Sequence, residues 1–317
     1  MPKRSLIYPL FLPMQGCKHR CIYCDQNKIS GENTMDLAKE LANVSRFIAN
    51  HPDEDKEVAF YGSSFTALPA SYRAELLQQF HKVVDAKTSF RISTHPLYIN
   101  EEILHTCAAM GIACIELGIQ DFCDEVLLAT KRGYTGEQAM QAAMLVKHQG
   151  FTLGVQLMPG LPASTPATIE HNRLALTALK PEYLRLYPLV VIKGTPLADT
   201  YAQGLYAPLE LEEAVQICAD YAELAEQEGI TIIKQGLPSN LNPQEVLAGP
   251  FHPSFGEFVL AERLVRHIIR EICKGKEIKL DKKQRLLLMG YRGKYWAILQ
   301  NRLKNCSVVP YEMNCIL

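Results

Sequence analysis

Cys17, Cys21 and Cys24 stand in the spacing C-x3-C-x2-C, inside Phe11-Leu-Pro-Met-Gln-Gly-Cys-Lys-His-Arg-Cys-Ile-Tyr-Cys24. Three thiolates on one tight loop can hold three irons of a cubane [4Fe-4S] cluster, for which cysteine is the usual ligand. No fourth cysteine follows nearby, so one iron would stay open to a group that is not protein. Two alternatives stand beside this reading. A structural zinc site wants four ligands, which a distant cysteine or His19 would have to complete. Three incidental thiols are the plainest alternative. The clustering speaks against it, because the other seven cysteines are spread thinly along the chain.

The cysteine loop follows an apolar run, Leu6 to Leu12, that reads as a first strand. Five more strands are expected at 57–61, 89–94, 112–118, 151–157 and 183–187. Helices are expected between them, at 35–50, 69–84, 100–110, 124–130, 135–149 and 165–179. Asn100 is a natural N-cap and Gly111 a natural stop. Regular alternation of strand and helix predicts parallel βα units with right-handed connections. Working residues of such folds gather at the C-terminal ends of the strands. Gly62, Ser93, Glu116, Gln120, Gln156, Arg185 and Tyr187 share that address. Each alone is more often structural; their shared position is the signal.

Beyond Thr195 the pattern predicts a helix over 209–229, an extra strand over 230–234 and a helix over 257–273. The expected division is 1–200 for the barrel-like core and 201–317 for a mostly helical extension with a basic tail. Cys306 and Cys315 could serve a second cluster, although incidental thiols explain them as well. His252 reads as a proton donor or a substrate contact, or else as a capping or packing histidine.

At 317 residues, 48% apolar and a mean hydropathy of −0.05, this is an ordinary globular chain. No apolar run approaches the roughly 20 residues of a membrane span, and no signal peptide is evident. Ten cysteines without a disulfide-framework pattern fit a reducing cytoplasm. Charge is uneven. From Arg263 to Lys304 thirteen Lys/Arg face three acids, Glu271, Glu277 and Asp281. That segment is +10, and with a chain total of −1 the rest is −11. With Tyr291, Tyr295 and Trp296 inside it, segment 263–304 is a candidate RNA-binding surface. The alternative is a solvated helix face.

The cysteine spacing, with aromatic Tyr23 before the last cysteine and a preceding strand, resembles the signature of the radical S-adenosylmethionine (SAM) superfamily. The resemblance implies a partial (β/α)6 TIM-like barrel of α/β class. It also implies a [4Fe-4S] cluster on Cys17, Cys21 and Cys24, with SAM bound at the open iron. Reductive cleavage of SAM would yield a 5′-deoxyadenosyl radical, with electrons from a donor of flavodoxin or ferredoxin type. Ala59-Phe-Tyr-Gly-Ser-Ser-Phe-Thr66 resembles the family's Gly-Gly-Glu-type motif, with backbone around Gly62 and Ser63 for the methionine amine. Ser93, Glu116 and Gln156 become contacts for the methionine carboxylate or the ribose. Tyr23 and Met158 would lie by the adenine. Arg185, Tyr187 and Lys193 would face the mouth, where they could bind an anionic substrate, and Arg20 would offset cluster charge or be a plain surface arginine.

Ile115 to Gln120, Gln156 to Pro162 and Arg185 to Thr195 resemble the radical-SAM domain of the Elongator catalytic subunit. Three departures matter. The cysteine spacing is shorter than Elongator's. Ser93-Thr-His-Pro-Leu97 replaces Thr-Arg-Pro-Asp. About 120 residues after Thr195 leave no room for an acetyltransferase domain. A short bacterial relative is therefore expected, with RNA or a tRNA base as substrate. A small molecule such as a porphyrinogen or a deazapurine like queuine is the alternative. A non-catalytic iron–sulfur protein that binds RNA is another. No catalytic residue can be named from the sequence.

Overall fold

The computed structural model describes residues 5–31, 34–237 and 241–304. Its main sheet is built from β1 (Leu6–Phe11), β2 (Lys56–Tyr61), β3 (Thr88–Thr94), β4 (Ile112–Gln120), β5 (Thr152–Leu157), β6 (Tyr183–Leu186) and, after β7 (Val191–Ile192), β8 (Thr231–Gln235). The order is β1-β2-β3-β4-β5-β6-β8, and every pairing is parallel. The sheet curls into a half-barrel whose edges, β1 and β8, do not meet. The expected α/β partial barrel is thus what the chain forms, with the extra strand at 230–234 as its seventh.

Each crossover carries a helix whose ends are fixed by its own sequence. They are α1 (Gln26–Ser30), α2 (Leu37–Asn50), α3 (Ala70–His81), α4 (Glu101–Ala109), α5 (Asp124–Ala129), α6 (Gly136–His148) and α7 (Pro166–Leu179). Asn100 accepts the Ile103 N–H at the start of α4. Thr135 with Gln138, and Thr165 with Thr168, form reciprocal capping boxes on α6 and α7. Val58, Phe60, Ile92, Ile115, Leu153 and Leu184 are buried against this helical layer. Apolar alternation on both strand faces is what a parallel sheet covered on its outer side requires.

Past β6, α8 (Pro196–Ala202) leads to α9 (Leu211–Glu228) and β8. Residues Val246–Ala248 form β9, which pairs antiparallel with β7. Two long helices finish the described chain, α10 (Phe255–Cys273) and α11 (Lys282–Lys304). Helix α11 is broken at 290–293, where Tyr291, Arg292 and Gly293 take left-handed backbone. Helix α10 packs on both α9 and α11. Among the described residues no helix is long and apolar enough to cross a membrane. Cys306 and Cys315 lie outside the described residues.

Candidate active site

The C-terminal ends of the strands open into a cavity of about 370 Å³. The twelve residues singled out as ligands or cofactor contacts from the sequence all line it. They are Cys17, Cys21, Cys24, Tyr23, Gly62, Ser63, Ser93, Glu116, Gln156, Met158, Arg185 and Tyr187.

The cysteine loop is fixed by backbone bonds on both sides. Toward β2, Leu12 and Met14 donate to the carbonyls of Tyr61 and Gly62, and Ser64 donates to that of Gln15. Gly16 sits at φ +70°, and a Cβ there would lie 2.5 Å from the Ser64 carbonyl, so only glycine allows this approach. On the other side Ile22 donates to Thr130 O and accepts from Leu197 N–H. Gly62 itself needs φ +76° to turn the chain at the cavity rim.

Each cysteine sulfur has one polar neighbour. Cys17 Sγ is 3.4 Å from Ser64 Oγ, Cys24 Sγ accepts from Gln26 Nε2 at 3.5 Å, and Cys21 Sγ accepts from Arg132 at 3.0 Å. Burial, then the neighbouring Cys21, pushes the Cys24 thiol up to about 12. A thiolate there needs a cation. Among the described residues no three His, Cys, Asp or Glu are grouped as ligands of one ion would be. A cubane asks for one thiolate per iron, spread around it.

Arg132 is the residue that sequence reading missed. It lies in the turn between α5 and α6, is 5% exposed, and also donates to Gly118 O and the Tyr134 hydroxyl. Burial disfavours its charge, but Tyr134, Tyr23 and Cys21 outweigh that and hold the guanidinium firmly protonated. The carbonyl of Arg132 meets His95 Nε2 at 3.1 Å, so this turn packs against the Ser93–Pro96 segment. Arg132 thus brings a basic group beside that segment from the turn after α5.

Glu116 is 4% exposed, and its carboxylate is held by Arg185, by Arg91 at 2.8 Å and by the Tyr61 hydroxyl at 3.0 Å. Arg91 also pairs with Glu57 and stacks on the Tyr183 ring. Burial alone would raise the Glu116 carboxyl. Arg185 and Arg91 outweigh it and keep the group below its ordinary range. Gln156 donates to Gln120 at 2.9 Å, and the Tyr187 hydroxyl accepts from Arg185 at 3.1 Å. Among the described residues of the cavity lining, three buried polar atoms lack a hydrogen-bond partner, Ser63 Oγ and the hydroxyls of Tyr23 and Tyr98. A bound polar molecule can answer such atoms, so the lining fits a nucleoside cofactor.

Other candidates fall elsewhere. Arg20 and Lys193 are exposed and outside the lining. His252 accepts from the N–H of Ser254, the residue that precedes α10, and packs on Phe258 and Tyr291, as a packing histidine does. Cys107 and Cys114 are buried core residues. Much of the basic segment is paired. Arg263, Arg266 and Arg270 meet Glu226, Asp220 and Glu223 of α9, and Lys294 meets Glu212. Arg302 pairs with Glu262, and Lys274 and Lys276 with Glu271. Lys279, Lys282, Lys283, Arg285 and Arg292 are exposed, with no ion pair to a described residue.

Comparison with known proteins agrees with this geometry. The chain is 28% identical over 192 residues to a tRNA uridine(34) acetyltransferase of Methanocaldococcus jannaschii, over 53% of this chain and 35% of that protein. It is 27% identical over 191 residues to Elongator complex protein 3 of Mus musculus, again over 53% of this chain and 35% of that one. The chain thus spans about a third of the length of these relatives. Among solved structures, the archaeal Methanocaldococcus infernus Elp3 with an N-terminal deletion superposes with a TM-score of 0.66 at 18% identity. That match covers 84% of this chain and 64% of the other. Coproporphyrinogen III oxidase from Escherichia coli gives 0.53 at 19% identity, over 72% and 54%. The model of the radical SAM superfamily matches residues 11–175, and that of the radical SAM C-terminal domain matches 181–266. The half-barrel, the cysteine loop at its rim and these matches make one assignment: the chain belongs to the radical SAM superfamily, enzymes that use a [4Fe-4S] cluster and SAM.

Proposed function

We propose that this enzyme acts on RNA, at a base of a tRNA, with Cys17, Cys21 and Cys24 as its cluster ligands. The observation that carries the site assignment is the convergence of those cysteines with Gly62, Ser63 and Glu116 on one cavity. Bound there, the cluster and SAM supply hydrogen-atom abstraction by a 5′-deoxyadenosyl radical. The protein's residues bind and orient. Arg132, buried beside Cys21, is placed for the carboxylate of the methionine moiety, where a fixed guanidinium gives charge-assisted bonds. Ser63 Oγ and the Tyr23 hydroxyl are free to bond the bound cofactor. Glu116, kept ionised by Arg185 and Arg91, is an acceptor for ribose hydroxyls. Met158 and Tyr23 belong to a common apolar cluster suited to an adenine.

The RNA reading is supported by the unpaired basic residues at 279–292 and by relatives named as tRNA uridine(34) acetyltransferases. Those relatives are longer, and acetyl transfer is not carried over. The test is anaerobic reconstitution with iron and sulfide, then dithionite and SAM, with chromatography for 5′-deoxyadenosine. Cys21→Ala is run beside it. Product that the variant loses is expected. A loaded cluster that never cleaves SAM would sink the enzymatic assignment of these cysteines. Stimulation by tRNA, and not by small-molecule candidates, is expected to identify the substrate class.

A further inference from the structure

The ends of the cavity differ in charge. At the cysteine end Arg132 is the cation. In the middle Arg91 and Arg185 are neutralised by Glu57 and Glu116. On the far wall stands Lys234 of β8, paired in register with Arg185 of β6. Both side chains line the cavity, so they lie next to each other across two adjacent strands. Lys234 is half-buried and forms no ion pair with a described residue. The same cavity also has apolar lining from Leu189, Val190, Ile192 and Leu237. An ammonium that faces a cavity without a carboxylate partner can take an anion through a charge-assisted hydrogen bond. Arg185 cannot be the free cation, because Glu116 takes two of its nitrogens. Lys193 cannot serve the cavity, because it is exposed and outside the lining.

We infer that the β8 wall is an anion subsite for the substrate, with Lys234 as its cation and a specificity-determining residue. It takes a phosphate or carboxylate carried beside an apolar or planar group. The inference rests on the reading of this cavity as the radical SAM site, and it deepens that reading. The anion has two sources, a phosphodiester of an RNA strand or the free acid group of a small molecule.

The experiment uses the reconstituted, SAM-loaded enzyme under anaerobic conditions, with binding measured by calorimetry. The probes are uridine, uridine 5′-monophosphate, inorganic phosphate and a tRNA anticodon stem-loop. Three proteins are compared, wild type, Lys234→Met and Lys234→Arg. The expected result is that Lys234→Met weakens the anionic probes about 10- to 100-fold while uridine is unaffected, and that Lys234→Arg restores most of the loss. A loss confined to the stem-loop assigns the anion to a phosphodiester. A loss shared with the monophosphate and inorganic phosphate assigns it to a free acid group. Unchanged binding in Lys234→Met overturns the subsite, as does wild type that binds no anionic probe more tightly than uridine. Weakened SAM binding in Lys234→Met would place the lysine on the cofactor and also overturn it. Failure of the radical SAM reading has a separate signature, because it appears as lost iron–sulfur absorption or absent 5′-deoxyadenosine in wild type.

Discussion

Glu116 on β4 reaches Arg185 on β6 across an intervening strand, and Gly154 is what lets it. In register, Glu116 lies beside Gly154 of β5. A Cβ on Gly154 would stand 2.7 Å from Glu116 Cγ. The missing side chain leaves a channel over β5 through which the carboxylate passes. Gly154→Ala is therefore expected to displace Glu116 and loosen its pairing with Arg185 and Arg91, at about 1–3 kcal/mol. Removing the carboxylate outright in Glu116→Ala leaves two buried guanidiniums short of charge and costs about 3–5 kcal/mol. The two changes share one clash, so the double variant should be less destabilised than the sum. Denaturant unfolding of the four proteins measures this. Strict additivity would show that Gly154 does not shape the pair.

The Arg132 contact to Cys21 makes an electrochemical prediction. A buried cation bonded to a ligand sulfur favours the reduced, more negative cluster. Arg132→Met is expected to lower the cluster's reduction potential and to weaken SAM binding. The potential is read by a titration followed by electron paramagnetic resonance, and SAM affinity by calorimetry. Iron content checks that the cluster is still loaded. A loaded variant with unchanged potential and affinity would leave Arg132 as a tie between Gly118 and Tyr134 only.

His95 yields a pH dependence. Burial first, then Arg132 and His19, push its imidazole down to about 2. Its ring accepts from Leu97 N–H on one side and meets the Arg132 carbonyl on the other, as a neutral ring does. The unfolded chain takes up a proton below about pH 6.5, and the folded one refuses it. Stability from this group is whole above pH 6.5 and falls at lower pH by about 1.4 kcal/mol per unit. His95→Gln is expected to flatten unfolding free energy against pH between about 6.5 and 5. Equal slopes for both proteins would assign the proton elsewhere.

The cysteine site was legible because its information is local: three thiols within eight residues need no tertiary contact to be seen. The strand ends were legible because parallel βα order puts them all on one rim. Arg132 was not, since its place depends on the Ile22 to Thr130 backbone bond that brings a distant turn to Cys21. Gly154 gave no signal, because its role is a missing atom. The β7–β9 pair was too short for a periodic pattern. The basic run overstated the free charge, since acids on α9, remote in sequence, neutralise many of its members.

That last point sharpens the RNA prediction. If the whole run 263–304 met a polyanion, any of its cations would matter alike. Arg270, however, is already engaged with Glu223, whereas Lys282, Lys283 and Arg292 are exposed, with no ion pair to a described residue. Phosphate contacts release counterions, so each one lost flattens the dependence of binding on salt. Lys282→Ala, Lys283→Ala and Arg292→Ala are each expected to weaken tRNA binding and to reduce the log–log salt slope by up to about one. Arg270→Ala is expected to leave that slope alone. Fluorescence anisotropy with labelled tRNA over a salt series reads both quantities. If Arg270→Ala flattened the slope as much as Lys282→Ala, the α9 ion pairs would have to open on binding, and the interface would extend over α10. If none of the four did so, the basic face would be a solvated surface, and RNA would have to reach the cavity by other residues.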